Sequence, residues 1–263
     1  MGHEFEVRKE IELAATPEEV WQAIATGPGI DSWFMGRSEV EPRRGGSTRL
    51  TVGGATEEAT VTSWEPPNRF AYRTGQGQDG AFMAFEWLVE GRDRGSTVLR
   101  MVHEGFLEGD WESEYEAMKS GWDMYLHTLA AYLTHFPGRT GTPVSALRIG
   151  AAEPEQAWAV LTGALGLPAT ATVGERASIA PEGFAPVEGV LDYADPFSCL
   201  GVRTDQGLYR FVHSGPRRGN AVFLAHHVYS SPGESDESGD VGELERAWQG
   251  WLERLFPAET QGL

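Results

Sequence analysis

Ala14-Ala15-Thr16-Pro17-Glu18-Glu19-Val20-Trp21 recurs as Ala151-Ala152-Glu153-Pro154-Glu155-Gln156-Ala157-Trp158. Each copy follows a β-like segment, so the chain reads as one fold written twice. A second echo closes both copies: Trp122, Tyr125, Leu126 and Leu129 share the spacing of Trp248, Trp251, Leu252 and Leu255, each set on a helix-period pattern. Each copy therefore opens with a strand and a short helix and ends with an aromatic-faced helix. Pro17 precedes Trp122 by 105 residues and Pro154 precedes Trp248 by 94, so the second copy is about eleven residues shorter. It reads as a trimmed and diverged duplicate.

Outward from that stretch, residues 4 to 13 alternate apolar and charged side chains, as a half-buried strand does. Thr16 as N-cap, Pro17 at the first helical position and Glu19 at the third form a capping box, which predicts a short helix carrying Val20, Trp21 and Ile24. Gly27-Pro28-Gly29 breaks it before one more turn ending in Trp33-Phe34. Strands are expected near 36–41, 47–53, 56–65, 68–74, 81–90 and 96–104, punctuated as antiparallel hairpins. An acidic segment, Glu104 to Glu116, leads into a helix near 114–135 that Phe136-Pro137-Gly138 ends. The second copy repeats the plan with a strand near 144–149, a helix at 154–165, strands near 173–179, 186–193, 197–204, 207–213 and 220–229, and a helix at 240–256. The Ser230–Asp240 run between them reads as a flexible loop. The expected fold is α+β, a tandem of helix-grip domains, each a curved antiparallel sheet around a long C-terminal helix. The expected division is 1–137, a linker at 138–143, and 144–263.

At 263 residues the chain is long enough for two cores. Formal charge is −18, divided as −10 over residues 1–140 and −8 over the rest. Such a field repels phosphate backbones and anionic headgroups, which argues against nucleic-acid and membrane-surface partners. Arg43-Arg44 and Arg217-Arg218 are pairs in turn-like contexts and read as solvated. No segment resembles a signal peptide or approaches a membrane span, so cytoplasmic residence is expected. The single Cys199 excludes an intramolecular disulfide and reads as a small core or surface residue. The 19 Arg against two Lys fit a GC-rich bacterial genome.

Val20-Trp21-Gln22-Ala23-Ile24 with Trp33-Phe34, then Ser63-Trp64-Glu65-Pro66-Pro67-Asn68-Arg69-Phe70, then Gly95-Ser96-Thr97 before the strand to His103, then Gly121-Trp122 with Leu126 and Leu129, together resemble one family. It is the activator of heat shock protein 90 ATPase homologue family, in the START-like, or SRPBCC, superfamily. The resemblance covers residues 4 to 136. The second half shares it through the repeat alone and lacks a counterpart of Trp33-Phe34. What the resemblance implies is a cavity between curved sheet and long helix, used to bind apolar or amphipathic small molecules and in some members to catalyse cyclisation or hydrolysis. The family name also implies a chaperone as protein partner, although the eukaryotic activator depends on an additional domain and this chain carries a different one.

Strand alternation puts Met83, Phe85 and Trp87 on one face, and Met101 and His103 on one face of the next strand. With Trp33, Phe70, Tyr72, Trp122, Tyr125, Leu126 and Leu129, they make the expected lining of a hydrophobic ligand site, with His103 and the tyrosine hydroxyls as its polar points. Ordinary core packing of the same residues is the competing reading. Trp33 and Phe34 are a candidate gate. His103 is the candidate acid–base group, with Tyr72 or Tyr125 as its helper, but no second group at defined spacing supports catalysis. The leading expectation is therefore binding without chemistry, and the alternatives are a polyketide cyclase- or hydrolase-like enzyme and a chaperone-type interaction module. Glu104, Glu108, Asp110, Glu112, Glu114 and Glu116 lack the ligand spacing of a calcium loop and read as a solvated acidic loop. His226-His227 alternate across a strand and cannot chelate one metal together, with His213 placed to meet one of them across a hairpin. No phosphate loop or nucleophile elbow is present, so no metal and no cofactor are expected. The expected partners are a small apolar ligand and either a second copy or another protein.

Overall fold

The computed structural model describes residues 2–77, 80–107, 111–180, 186–229 and 241–257. Two compact units divide the chain, 1–141 and 142–263. In the first, β1 (His3–Leu13) leads into α1 (Pro17–Ala25) and α2 (Gly27–Asp31). Strands β2 (Arg37–Val40), β3 (Ser47–Val52), β4 (Ala55–Glu65), β5 (Arg69–Thr74), β6 (Phe82–Gly91) and β7 (Thr97–Leu107) follow, then α3 (Trp111–His135). The sheet is antiparallel in the order β1-β7-β6-β5-β4-β3-β2. The meander thus returns its last strand to the first, and α3 grips the inner face.

The predicted capping box forms. Glu19 N–H donates to Thr16 Oγ1 at 3.3 Å, while Thr16 N–H donates to Glu19 Oε2 at 2.8 Å. The outer face of this sheet carries ion pairs laid across strands, such as Arg100 with Glu10 and Glu90, and Arg69 with Glu86. All are exposed and therefore contribute little stability each. Their role is to keep that face wet. Trp111 begins α3 three residues earlier than the sequence pattern predicts, so Glu112, Glu114 and Glu116 lie in its first turns. Carboxylates favour a helix N-terminus, where unpaired N–H groups gather, and this corrects the reading of them as loop. Glu108 and Asp110 lie outside the described residues.

The second unit holds β8 (Gly141–Arg148), α4 (Pro154–Ala164), β9 (Arg176–Ile179), β10 (Val187–Asp195), β11 (Cys199–Arg203), β12 (Gly207–His213), β13 (Val222–Tyr229) and α5 (Val241–Leu255). Its order, β8-β13-β12-β11-β10-β9, is that of the first sheet without a counterpart of β2. Strand β8 begins three residues before the predicted start. The missing length sits mainly in two connections: residues 26–46 join helix to β3 in the first copy, whereas 165–175 join helix to β9 in the second, and 75–81 join β5 to β6, whereas 204–206 join β11 to β12. Among the described residues, α2 and β2 have no second-copy equivalents, so the segment that holds Trp33-Phe34 is what the second copy lacks.

The registers show how deep the duplication runs. β4 carries a bulge between Val61 and Ser63 opposite β5, and β10 carries one between Leu191 and Tyr193 opposite β11. Glu65-Pro66-Pro67-Asn68-Arg69-Phe70-Ala71-Tyr72-Arg73 thereby lies over Asp195-Pro196-Phe197-Ser198-Cys199-Leu200-Gly201-Val202-Arg203 without a gap. Each unit is therefore a helix-grip fold, and the molecule is a tandem of two.

Candidate functional site

Pairing across the first sheet arranges its inward side chains in rungs. One rung is Trp64, Phe70, Trp87, Met101 and Lys9; the next is Val61, Tyr72, Phe85, His103 and Val7; a third is Ala59, Thr74, Met83, Gly105 and Phe5. Burial falls from the first rung to the third in the middle strands. Phe70, Trp87 and Met101 are 0%, 3% and 1% exposed, whereas Tyr72, Met83 and Phe85 are only half-buried although they share the same face. The inner face is thus filled at one end and accessible at the other.

Aromatic contacts account for the filled end. Trp33 meets Trp87 edge-to-face at 6.0 Å between centroids and donates its indole N–H to the Ala23 carbonyl of α1 at 2.9 Å. Trp122, from α3, meets Trp87 at 5.6 Å, Phe85 at 6.1 Å and Phe34 in a near-parallel stack at 5.5 Å. Edge-to-face and offset geometries of this kind are the attractive ones for ring quadrupoles. Leu126 and Leu129 are buried beside them. The expected gate is therefore divided by the structure: Trp33 is core, 2% exposed, whereas Phe34 is half-buried against Trp122 and Tyr125. Trp33 is held there because its one polar atom is satisfied by a helix carbonyl.

His103 stands between the two regimes. It is 5% exposed, stacks on Phe85 at 4.0 Å, and meets Phe5 edge-on at 5.1 Å. Trp122 Nε1–H donates to its Nδ1 at 3.0 Å, and its Nε2 lies 3.3 Å from Met83 Sδ. Burial lowers its pKa to about 4, so the ring is neutral at physiological pH. Tyr72 stacks on Phe85 at 4.8 Å, and burial raises its phenol above the ordinary value, opposed by a side-chain hydrogen bond with Trp87. Neither group is tuned for proton transfer near neutrality: the histidine is too weak a base, and the phenol too weak an acid. Opposite Phe5, position 105 must be glycine, because a Cβ there would collide with the Phe82 carbonyl oxygen and fall 2.8 Å from the Phe5 ring.

The second unit repeats the centre of this arrangement. Registers match Phe70 with Leu200, Trp87 with Phe211 and Met101 with Leu224, which puts His226 at the place of His103 and Tyr209 at that of Phe85. Trp248 meets His226 edge-to-face at 4.4 Å, as Trp122 meets His103. Sequence pattern alone does not show this pairing and presents His226 only as a candidate metal ligand. No spacing signals it, since 19 residues separate His103 from Trp122 and 22 separate His226 from Trp248. The second interior is closed: His226 is 0% exposed with Nδ1 accepting the Arg210 backbone N–H at 3.1 Å, and burial holds its pKa well below the ordinary value. Gly207 replaces Met83, and the Tyr209 ring lies over it.

His213 meets neither neighbouring histidine. Its Nε2 lies 2.9 Å from the Ala152 carbonyl and its Nδ1 accepts from Gly215 N–H, which corrects the hairpin expectation. Among the described residues no group of three His, Cys, Asp or Glu could hold a metal ion. Cys199 is buried and its thiol is pushed up to about 12, mainly by desolvation, so it is no nucleophile at neutral pH. Arg210, wholly buried, forms a two-pronged ion pair with Asp192 at 2.9 Å on each arm. No described helix is long and apolar enough to cross a membrane.

Residues 14–134 match the model of the family described as Activator of Hsp90 ATPase homolog 1-like protein. No curated protein matches the chain. Among solved structures, protein MLL2253 from Mesorhizobium loti is 22% identical over 50% of this chain and 98% of its own, with a TM-score of 0.44. The Aha1 dimer from Colwellia psychrerythraea is 19% identical over 49% of this chain and 96% of its own, with a TM-score of 0.42. The di-domain ARO/CYC BexL from the BE-7585A biosynthetic pathway is 14% identical over 97% of this chain and 99% of its own, with a TM-score of 0.45.

Proposed function

We propose that the chain, whose residues 14–134 match the model of the Activator of Hsp90 ATPase homolog 1-like family, binds a small hydrophobic or aromatic molecule in the helix-grip groove of its first domain, without chemistry. One observation carries the reading: Tyr72, Met83 and Phe85 face the interior yet stay half-buried, while their neighbours Phe70 and Trp87 are sealed. Inward aromatic surface left accessible at one end of a filled core is what a ligand would cover. Burial of a ligand ring there would remove apolar area from water at about 25 cal/mol per Å². Trp33, Phe70, Trp87, Met101, Leu126 and Leu129 form the floor rather than the contact surface. Tyr72, Met83, Phe85 and His103 are the contacts, with Trp122 and Tyr125 of α3 opposite.

The enzymatic alternative, a cyclase- or hydrolase-like reaction at His103, is disfavoured by the depressed basicity of that ring and by the occupation of Nδ1 by Trp122. The test is native mass spectrometry of the purified protein with organic extraction, followed by thermal shift across a panel of lipids and aromatic compounds. A stoichiometric apolar adduct, or a shift that Phe85→Ala abolishes, supports the reading. No adduct and no shift would move the search to protein partners.

A further inference from the structure

The hydrogen bonds around His103 decide which of its nitrogens carries the proton. An indole N–H can only donate, so Nδ1, which receives the Trp122 bond, is the bare nitrogen of a neutral ring and the hydrogen is on Nε2. That hydrogen points at the Met83 sulfur, 3.3 Å away. A thioether is a poor acceptor on a side chain with three free torsions. Met83 also lies one rung nearer the accessible end than His103 and is itself half-buried. A fixed donor at the boundary between the sealed and the open interior is thus held by an acceptor that is weak and free to move. The second unit offers no such place, because Gly207 stands where Met83 would and Tyr209 covers it.

Resting on the binding role proposed above, we infer that the ligand is a neutral ring compound whose oxygen acceptor, a carbonyl or an ether, displaces the Met83 sulfur and takes the hydrogen bond of His103 Nε2. A ligand ammonium would set donor against donor. A carboxylate would leave water for an interior whose inward cation, Lys9, is already paired with Asp123 on α3. The site therefore selects for an acceptor without charge.

The test uses the full-length protein and four probes on one ring system: naphthalene, 2-acetylnaphthalene, 2-naphthoate and 2-naphthylmethylammonium, titrated by calorimetry. The ketone is expected to bind about tenfold more tightly than the hydrocarbon, the gain of one well-formed hydrogen bond, and both ions more weakly than the ketone. In His103→Phe the ketone's advantage is expected to disappear while naphthalene still binds. Should that variant fail to fold, nitrogen-detected imidazole spectra of the unaltered protein give the answer. The His103 Nε2 signal is expected to stay protonated and to move with the ketone but not with naphthalene. Equal affinity for ketone and hydrocarbon, an advantage that survives His103→Phe, or a proton found on Nδ1 would overturn the inference and leave the binding role standing. Binding of none of the four would overturn both.

Discussion

At the scale of single residues, the first domain is defined by what its buried polar atoms accept. His103 has its pKa lowered by desolvation from 6.5 to about 4, so protonation costs more in the folded chain than in the unfolded one. The unfolded state therefore takes up the proton first on acidification, and stability is full above about pH 6.5 and falls as the pH drops towards 4. The loss over that window is about 3 kcal/mol for this group. Asp31 works in the opposite sense: its raised pKa, about 6, means that protonation below that value relieves a buried charge. Urea midpoints measured between pH 7 and 4 are expected to decline less steeply in His103→Gln than in the unaltered chain. A parallel decline in both would show that carboxylates elsewhere govern acid sensitivity. Core and contact residues also separate by mutation. Trp33→Ala removes a sealed ring and its bond to the Ala23 carbonyl, and about 3–5 kcal/mol of stability is expected to go with it. Phe85→Ala, at a half-buried position, is expected to cost less than half as much in the same denaturant series.

At the scale of elements, edges and caps carry the local logic. Strand β8 is an edge of the second sheet, and α5 covers part of it: the Gln249 amide both accepts from Leu147 N–H and donates to Leu147 C=O, each at 3.1 Å. Glu245 accepts from Ser145 N–H two residues away. An exposed edge strand is a template for further pairing, so these side chains stand in for a missing strand. Gln249→Ala is expected to lower stability by about 1 kcal/mol and, more tellingly, to raise concentration-dependent light scattering on warming. Scattering unchanged from the parent would show that the edge is protected by other means. At the start of α1, Thr16→Ala removes the hydroxyl that accepts the Glu19 N–H while keeping the backbone N–H that donates to Glu19, and is expected to cost about 1 kcal/mol. The matching position in the second copy, Glu153, makes no side-chain cap bond, so Glu153→Ala is expected to leave helix stability nearly unchanged.

At the scale of the whole molecule, two units with matched sheets have reached different interiors. The second unit seals its centre with Leu200, Phe211, Leu224, Trp248, Trp251 and Leu252, while the first keeps Tyr72, Met83 and Phe85 accessible. A chain ending at Gly141 contains every residue of the proposed contact set and a compact unit of its own. It is expected to fold and to bind the same aromatic probes as the full chain. Loss of binding with folding intact would show that the second unit contributes to the site.

The sequence alone determined the duplication, the helix-grip order of elements and the inward row Met83, Phe85, Trp87, because repeats, caps and strand alternation are local patterns written in neighbouring residues. It also placed Trp122 and His103 on facing elements. What only the tertiary structure decided is which of those inward residues are floor and which are surface. Alternation assigns a face, not a depth, and Phe70 and Tyr72 are indistinguishable by it although two residues of strand take one from sealed to accessible. The division of the candidate gate was likewise invisible, since Trp33 and Phe34 are adjacent in sequence and part company only when the Ala23 carbonyl meets the indole. The tautomer of His103 depends on a partner nineteen residues away along the chain, and the pairing of His226 with Trp248 on a register that aligns two sheets. Both are facts of distance between elements, which no spacing along the chain encodes.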